Sequence, residues 1–123
     1  MTRFFKITLA LVLAMFATTT LTACATSEHV HMDNVTAVID VRTASEYASG
    51  HLQGAVNIDV EAPDFSSKVG TLDHAGDYVI YCHSGRRAGI AITNMESLGF
   101  NGTLTNAGGI DEAASATGLP IVQ

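Results

Sequence analysis

The sequence predicts an α/β fold built on a mainly parallel sheet, and two observations carry that prediction. Short β-branched runs alternate with helical stretches along the chain, the pattern of strands joined by crossover helices. One of those runs, Tyr78-Val79-Ile80-Tyr81-Cys82, reads as a buried strand that ends on a thiol. A glycine-bearing turn, two arginines and a helical stretch follow it. In open α/β sheets ligands sit at the carboxyl ends of the strands, which is where Cys82 falls.

The remaining elements follow in order. Residues 36–41 are β-branched and read as a buried strand. Residues 43–49 read as a short helix, with Thr43 as N-cap, Glu46 three positions on as in a capping box, and Gly50 as the stop. Residues 55–58 form a short apolar strand, and 63–72 a short helix with a loose loop behind it. After the strand ending at Cys82 comes the strongest helix, 87–98, with Gly99 to end it. Residues 103–105 read as a further strand, Asn106-Ala107-Gly108-Gly109 as a turn, and 110–116 as a last helix stopped by Gly118 and Pro120.

The N-terminus is set aside as a targeting segment, residues 1–23. Arg3 and Lys6 precede an uncharged apolar stretch, and Leu21-Thr22-Ala23-Cys24 resembles the lipobox of bacterial lipoproteins, where cleavage before the cysteine is followed by its acylation. An ordinary secretory leader is one alternative. An uncleaved membrane anchor is another, since the apolar stretch approaches the ~20 residues a span needs. Small residues just before Cys24 favour the lipoprotein. On that reading Cys24 is lipidated, residues 24–35 are a polar tether, and 36–123 are the folded domain. The protein is then exported and anchored to the outer face of a bacterial membrane, on the periplasmic or extracellular side.

Charge narrows the function. The chain carries 6 basic and 12 acidic residues. Loss of Arg3 and Lys6 with the leader leaves Arg42, Lys68, Arg86 and Arg87 against the same acids, a side-chain charge of about −8. Nucleic acid is a poor partner for such a body. Two of the four basic residues flank Cys82, which makes a local positive spot suited to an anion. With Cys24 acylated, Cys82 is the only thiol. No internal disulfide is possible and there is no Cys-x-x-Cys pair, which argues against a thioredoxin-like oxidoreductase.

Cys82 at a strand end, facing a helix N-terminus, is placed to act as a nucleophile: turn amides and the helix dipole favour negative charge there. Read blandly, it is a core cysteine closing a strand. The Ser84, Gly85, Arg86 and Arg87 that follow are poor core material and speak against that. His83 is expected to point outward rather than serve as a base. His29, His31 and Asp33 lie close in sequence but make a weak metal site in a tether. The reading calls for no resident metal and no cofactor.

Together the motifs resemble the rhodanese domain. Asp40-Val41-Arg42 with Glu46-Tyr47 is similar to the opening signature of that family. Gly50-His51-Leu52-Gln53-Gly54-Ala55-Val56-Asn57-Ile58 is similar to its Gly-His-Ile-Pro-Gly-Ala-x-Asn-Ile segment, Cys82 to Arg87 to its active-site loop, and Asn106-Ala107-Gly108-Gly109 to its closing glycine motif. Gln53 in place of proline is a trait shared with small exported single-domain members of the phage-shock type. Ile110 and Ala113 stand where many members have an aromatic residue.

The resemblance implies a central, mainly parallel five-stranded sheet flanked by helices, and a monomeric sulfurtransferase. A sulfane sulfur passes from a small anionic donor such as thiosulfate to Cys82 as a persulfide, and then to a thiophilic acceptor, cyanide or a thiol. His83, Ser84, Gly85, Arg86 and Arg87 form the donor cradle, with the roles of the two arginines left open; Asp40, Arg42 and His51 brace the loops around it. The loop from Cys82 to Arg87 has six residues, where the arsenate-reductase and phosphatase branch has one more, with arginine at the position of Ala88. That favours sulfur over phosphoryl chemistry. A non-catalytic, membrane-tethered module of the same fold that binds a partner or senses through its thiol is the alternative.

Overall fold

The structure is a computed structural model and describes residues 28–123. The expected leader, the expected lipidation at Cys24 and the first part of the expected tether lie outside the described residues. Strands β1 (Ala37–Asp40), β3 (Val56–Asn57), β4 (Tyr78–Cys82) and β5 (Leu104–Gly109) make a parallel sheet in the spatial order β3-β1-β4-β5. Helices α1 (Ala44–Ser49), α2 (Phe65–Val69), α3 (Arg86–Ser97) and α4 (Ile110–Thr117) connect or follow these strands. Among the described residues no helix is long and apolar enough to cross a membrane.

β4 is buried at every position, as a central parallel strand covered on both faces must be. The period of two divides its side chains between two cores. Tyr78, Ile80 and Cys82 join Ile39 and Val41 of the β1 region against Phe65 and Val69 of α2 and Ala88, Ala91 and Met95 of α3. Val79 and Tyr81 join Val38, Leu52, Ala55 and, from α4, Ala113 on the other face. Cys82 thus faces the layer that carries α3, and Tyr81 faces away from it.

Three details differ from the sequence expectation. The parallel sheet has four strands rather than five; the further strands are a separate two-stranded antiparallel ribbon of β2 (His51–Leu52) and β6 (Ile121–Val122). His51–Leu52 and Ile121–Val122 show no readable period in the sequence, so their pairing is what reveals them. Second, Asn106 to Gly109 is not a turn. β5 runs on through both glycines, and one extra residue on β5 brings Gly109 rather than Gly108 opposite Cys82. Third, the described part of the expected tether, residues 28–35, is docked on the domain. Val30 N–H donates to the Ala116 carbonyl at 2.9 Å, and Val30, Met32 and Val35 pack on the second core around a 3₁₀ turn at Met32–Asn34. Spaced apolar residues among polar ones gave too weak a pattern to show this contact in sequence.

Candidate active site

Cys82 ends β4 with no exposed surface, and the chain turns at once into α3. Gly85 makes that turn possible. It caps the helix at φ 93°, in the left-handed region, and a Cβ there would sit 3.3 Å from the Gly108 Cα. The turn aims the Gly85 N–H at the thiol: Gly85 N donates to Cys82 Sγ at 2.9 Å. A backbone donor on sulfur at a helix N-terminus favours negative charge on that sulfur.

The loop rests on the glycine end of β5. Asn106 Nδ2 donates to the Gly85 carbonyl at 2.9 Å, and its Oδ1 accepts from Gly108 N at 2.9 Å. A Cβ at Gly109 would strike the His83 carbonyl oxygen, so the close approach of loop and strand requires glycine there. Glu112, in the first turn of α4, accepts from the Gly109 N–H through Oε2. His83 and Ser84 are exposed at the loop's outer side.

The two arginines part company. Arg86 is exposed and, among the described residues, forms no ion pair. Arg87 is largely covered and grips Glu46 with both terminal nitrogens, Nη1 to Oε1 at 2.8 Å and Nη2 to Oε2 at 2.9 Å. This hydrogen-bonded pairing holds the Glu46 carboxyl down at about 2 and raises the guanidinium of Arg87, on which Cys82 and Glu61 also act electrostatically. Glu46 is itself placed by Thr43, the N-cap of α1: Thr43 Oγ1 accepts from Glu46 N at 3.3 Å and donates to Oε1 at 3.1 Å.

Asp40 and Arg42 lie behind the site rather than in it. The Arg42 Nε and Nη2 donate to both Asp40 oxygens at 2.7–3.1 Å, and Nη2 also donates to the Gly50 carbonyl at 2.6 Å. The guanidinium lies over the Tyr81 ring, and the Tyr81 hydroxyl accepts from Leu52 N at 3.0 Å. Burial pushes the Tyr81 phenol up, and the hydrogen bonds that Arg42 donates to Asp40 raise the Arg42 guanidinium. His51 stacks on Tyr47 with ring centroids 3.7 Å apart, and its Nδ1 meets the Tyr47 carbonyl at 2.9 Å. These three residues fasten the loop after α1 to the sheet.

Two contributors were not read from sequence. Glu46 was expected only as a helix cap, and its second partner lies 41 positions away. Asn106 was expected in a turn, and nothing in the sequence marks its amide as a bridge between Gly85 and Gly108. Among the described residues no cluster of three or more His, Cys, Asp or Glu side chains is gathered as a metal site.

The rhodanese-like domain model matches residues 23–116. The chain belongs to this family. Among curated relatives of this rhodanese-like domain, the thiosulfate sulfurtransferase PspE of Escherichia coli is 32% identical over 76 residues, covering 62% of this chain and 72% of that protein. The chloroplastic thiosulfate sulfurtransferase 16 of Arabidopsis thaliana is 32% identical over 92 residues, covering 67% and 76%. A solved rhodanese-like domain from Anabaena superposes with a TM-score of 0.61 at 27% identity, over 71% of this chain and 98% of that one. An Escherichia coli rhodanese solved with anions gives 0.57 at 29% identity, over 71% and 96%.

Proposed function

We propose that this protein is a sulfurtransferase that carries sulfane sulfur on Cys82. The hydrogen bond from Gly85 N to Cys82 Sγ is the observation that carries the reading, because it places a backbone donor where an anionic sulfur would form. Relatives named as thiosulfate sulfurtransferases support the same class. In the first half-reaction the Cys82 thiolate attacks the outer sulfur of thiosulfate. A Cys82 S–S bond forms, the donor's S–S bond breaks, and its electron pair leaves on sulfite. In the second, cyanide carbon or an acceptor thiolate attacks the outer persulfide sulfur. The Cys82 S–S bond then breaks, returning the thiolate and releasing thiocyanate or the acceptor's persulfide. No oxidant or cofactor enters the balance. Arg86, exposed at the start of α3, meets the donor's oxygens at the rim, while Arg87 stands deeper beside the sulfur.

Intact mass tests this. The protein incubated with thiosulfate should gain about 32 Da, one sulfur atom, as expected for a covalent intermediate. Cyanide should remove the gain, and Cys82→Ala should never show it. A folded wild type that gains nothing would favour the non-catalytic module instead.

We also propose that the domain works as a monomer on the outer face of a bacterial membrane, held by a lipid on Cys24. The lipobox-like Leu21-Thr22-Ala23-Cys24 supports this. Cells fed a labelled fatty acid should label the protein, and Cys24→Ser should abolish the label; label retained in Cys24→Ser would remove the anchor from that residue.

A further inference from the structure

The sequence offered two arginines beside Cys82 as a doubly positive spot for an anion, and the structure removes one of them from that account. Both terminal nitrogens of Arg87 donate to Glu46, at 2.8 and 2.9 Å. The pair is therefore neutral as a unit, and it stays so because the carboxyl is held down at about 2. Glu61 lies near enough to act on the same guanidinium. Arg86 is left as the arginine of this loop with no carboxylate paired to it among the described residues.

Resting on the sulfurtransferase reading above, we propose that Glu46 is a specificity-determining residue. Its carboxylate pairs with Arg87 and offsets the positive charge that this arginine shows to an anion approaching Cys82. A mouth with two free guanidinium groups would hold a dianionic donor tightly, and would hold a dianionic leaving group such as sulfite tightly as well. Glu46 weakens both. It also keeps Arg87 aimed beside the sulfur, where its field acts on Cys82 without the fork closing on the donor's oxygens. The N-cap fits this role: Thr43 Oγ1 donates to the carboxylate, so the charge stands at a set place.

The test is the steady-state transfer of sulfur from thiosulfate to cyanide. Glu46→Gln keeps an acceptor for one Arg87 nitrogen and removes the charge. At low salt its KM for thiosulfate should fall roughly three- to fivefold, the effect of a single partly screened charge. High salt should close the gap. An unchanged or raised KM in the folded variant overturns the assignment. The charge swap of Glu46→Arg with Arg87→Glu decides between a charge and a strut. It keeps an ion pair between the same two positions but puts the carboxylate nearer the sulfur, so KM should rise by roughly tenfold or more. Recovery of the wild-type KM in the swap would make the pair a strut and overturn the assignment.

The wild type adds a check that needs no Glu46 variant to fold. Its KM should rise with salt through Arg86, and Arg86→Gln should flatten that response. A salt response that survives Arg86→Gln overturns the assignment. A wild type that takes no sulfur from thiosulfate by intact mass sinks the functional reading and this assignment with it. One that loads sulfur but gives any of the contrary KM results sinks this assignment alone.

Discussion

Arg42 and Arg87 each grip a carboxylate at the carboxyl end of the sheet, Asp40 in one case and Glu46 in the other. The chemistry is the same and the burial is not. The Asp40 and Arg42 side chains are 0% and 7% exposed, and Arg42 also holds the Gly50 carbonyl. The Glu46 and Arg87 side chains are 34% and 18% exposed and sit beside Cys82. In the first pair both Asp40 oxygens and the Arg42 Nε and Nη2 are committed to the protein, so neither partner can leave without orphaning the other. In the second, water still reaches both groups, and on the proposed reading their charge acts on the donor that approaches Cys82. Burial thus decides which pair holds the fold and which one shapes the site.

Matched truncations break or sharpen that contrast. Arg42→Ala should be the larger perturbation, with a loss of roughly 3–5 kcal/mol, because Asp40 is left buried and unpaired. Arg87→Ala should cost only roughly 0.2–1 kcal/mol, as for a partly exposed pair. Urea unfolding of both variants measures the two losses. The order should invert in a sulfur-loading assay run on folded protein, where Arg87→Ala is the more damaging. Equal stability losses would mean that the Glu46 pair carries fold as well as function, and the contrast would fail.

The same contrast explains what was legible in the sequence. Asp40, Val41 and Arg42 alternate on one strand, and that spacing alone puts the two charged side chains on the same side. Cys82 was legible because a buried β-branched run, a positive-φ glycine and a helix start are all local signals. The pairing of Glu46 with Arg87 was not, since it joins the first turns of two helices separated by 41 positions and depends on how α1 and α3 pack around the sheet. The extension of β5 through Gly109 was hidden for a related reason. It carries one extra residue against β4 between Asn106 and Gly109, and Asn-Ala-Gly-Gly taken alone reads as a turn. The β2–β6 ribbon, two residues a side, likewise exists only through its partner.

Acid reads the exposed pair in its own protonation. The folded protein holds the Glu46 carboxyl at about 2, against 4.5 without the protein around it, chiefly through the hydrogen bonds from Arg87. A carboxyl whose folded value lies below its unfolded one stabilises fully above the unfolded value and loses that contribution as pH falls toward the folded one. Glu46→Gln should therefore be less stable than wild type by roughly 0.5–1 kcal/mol at neutral pH, a size set by solvent screening of the pair. The difference should shrink steadily from about pH 4.5 to about pH 2. Urea midpoints of the two proteins across that window give the curve. The buried Asp40–Arg42 pair is common to both proteins and cancels from the comparison. A difference that stays constant across the window would mean that Glu46 stabilises through its cap on Thr43 rather than through its charge on Arg87, and the charge-based account of the mouth over Cys82 would lose its footing.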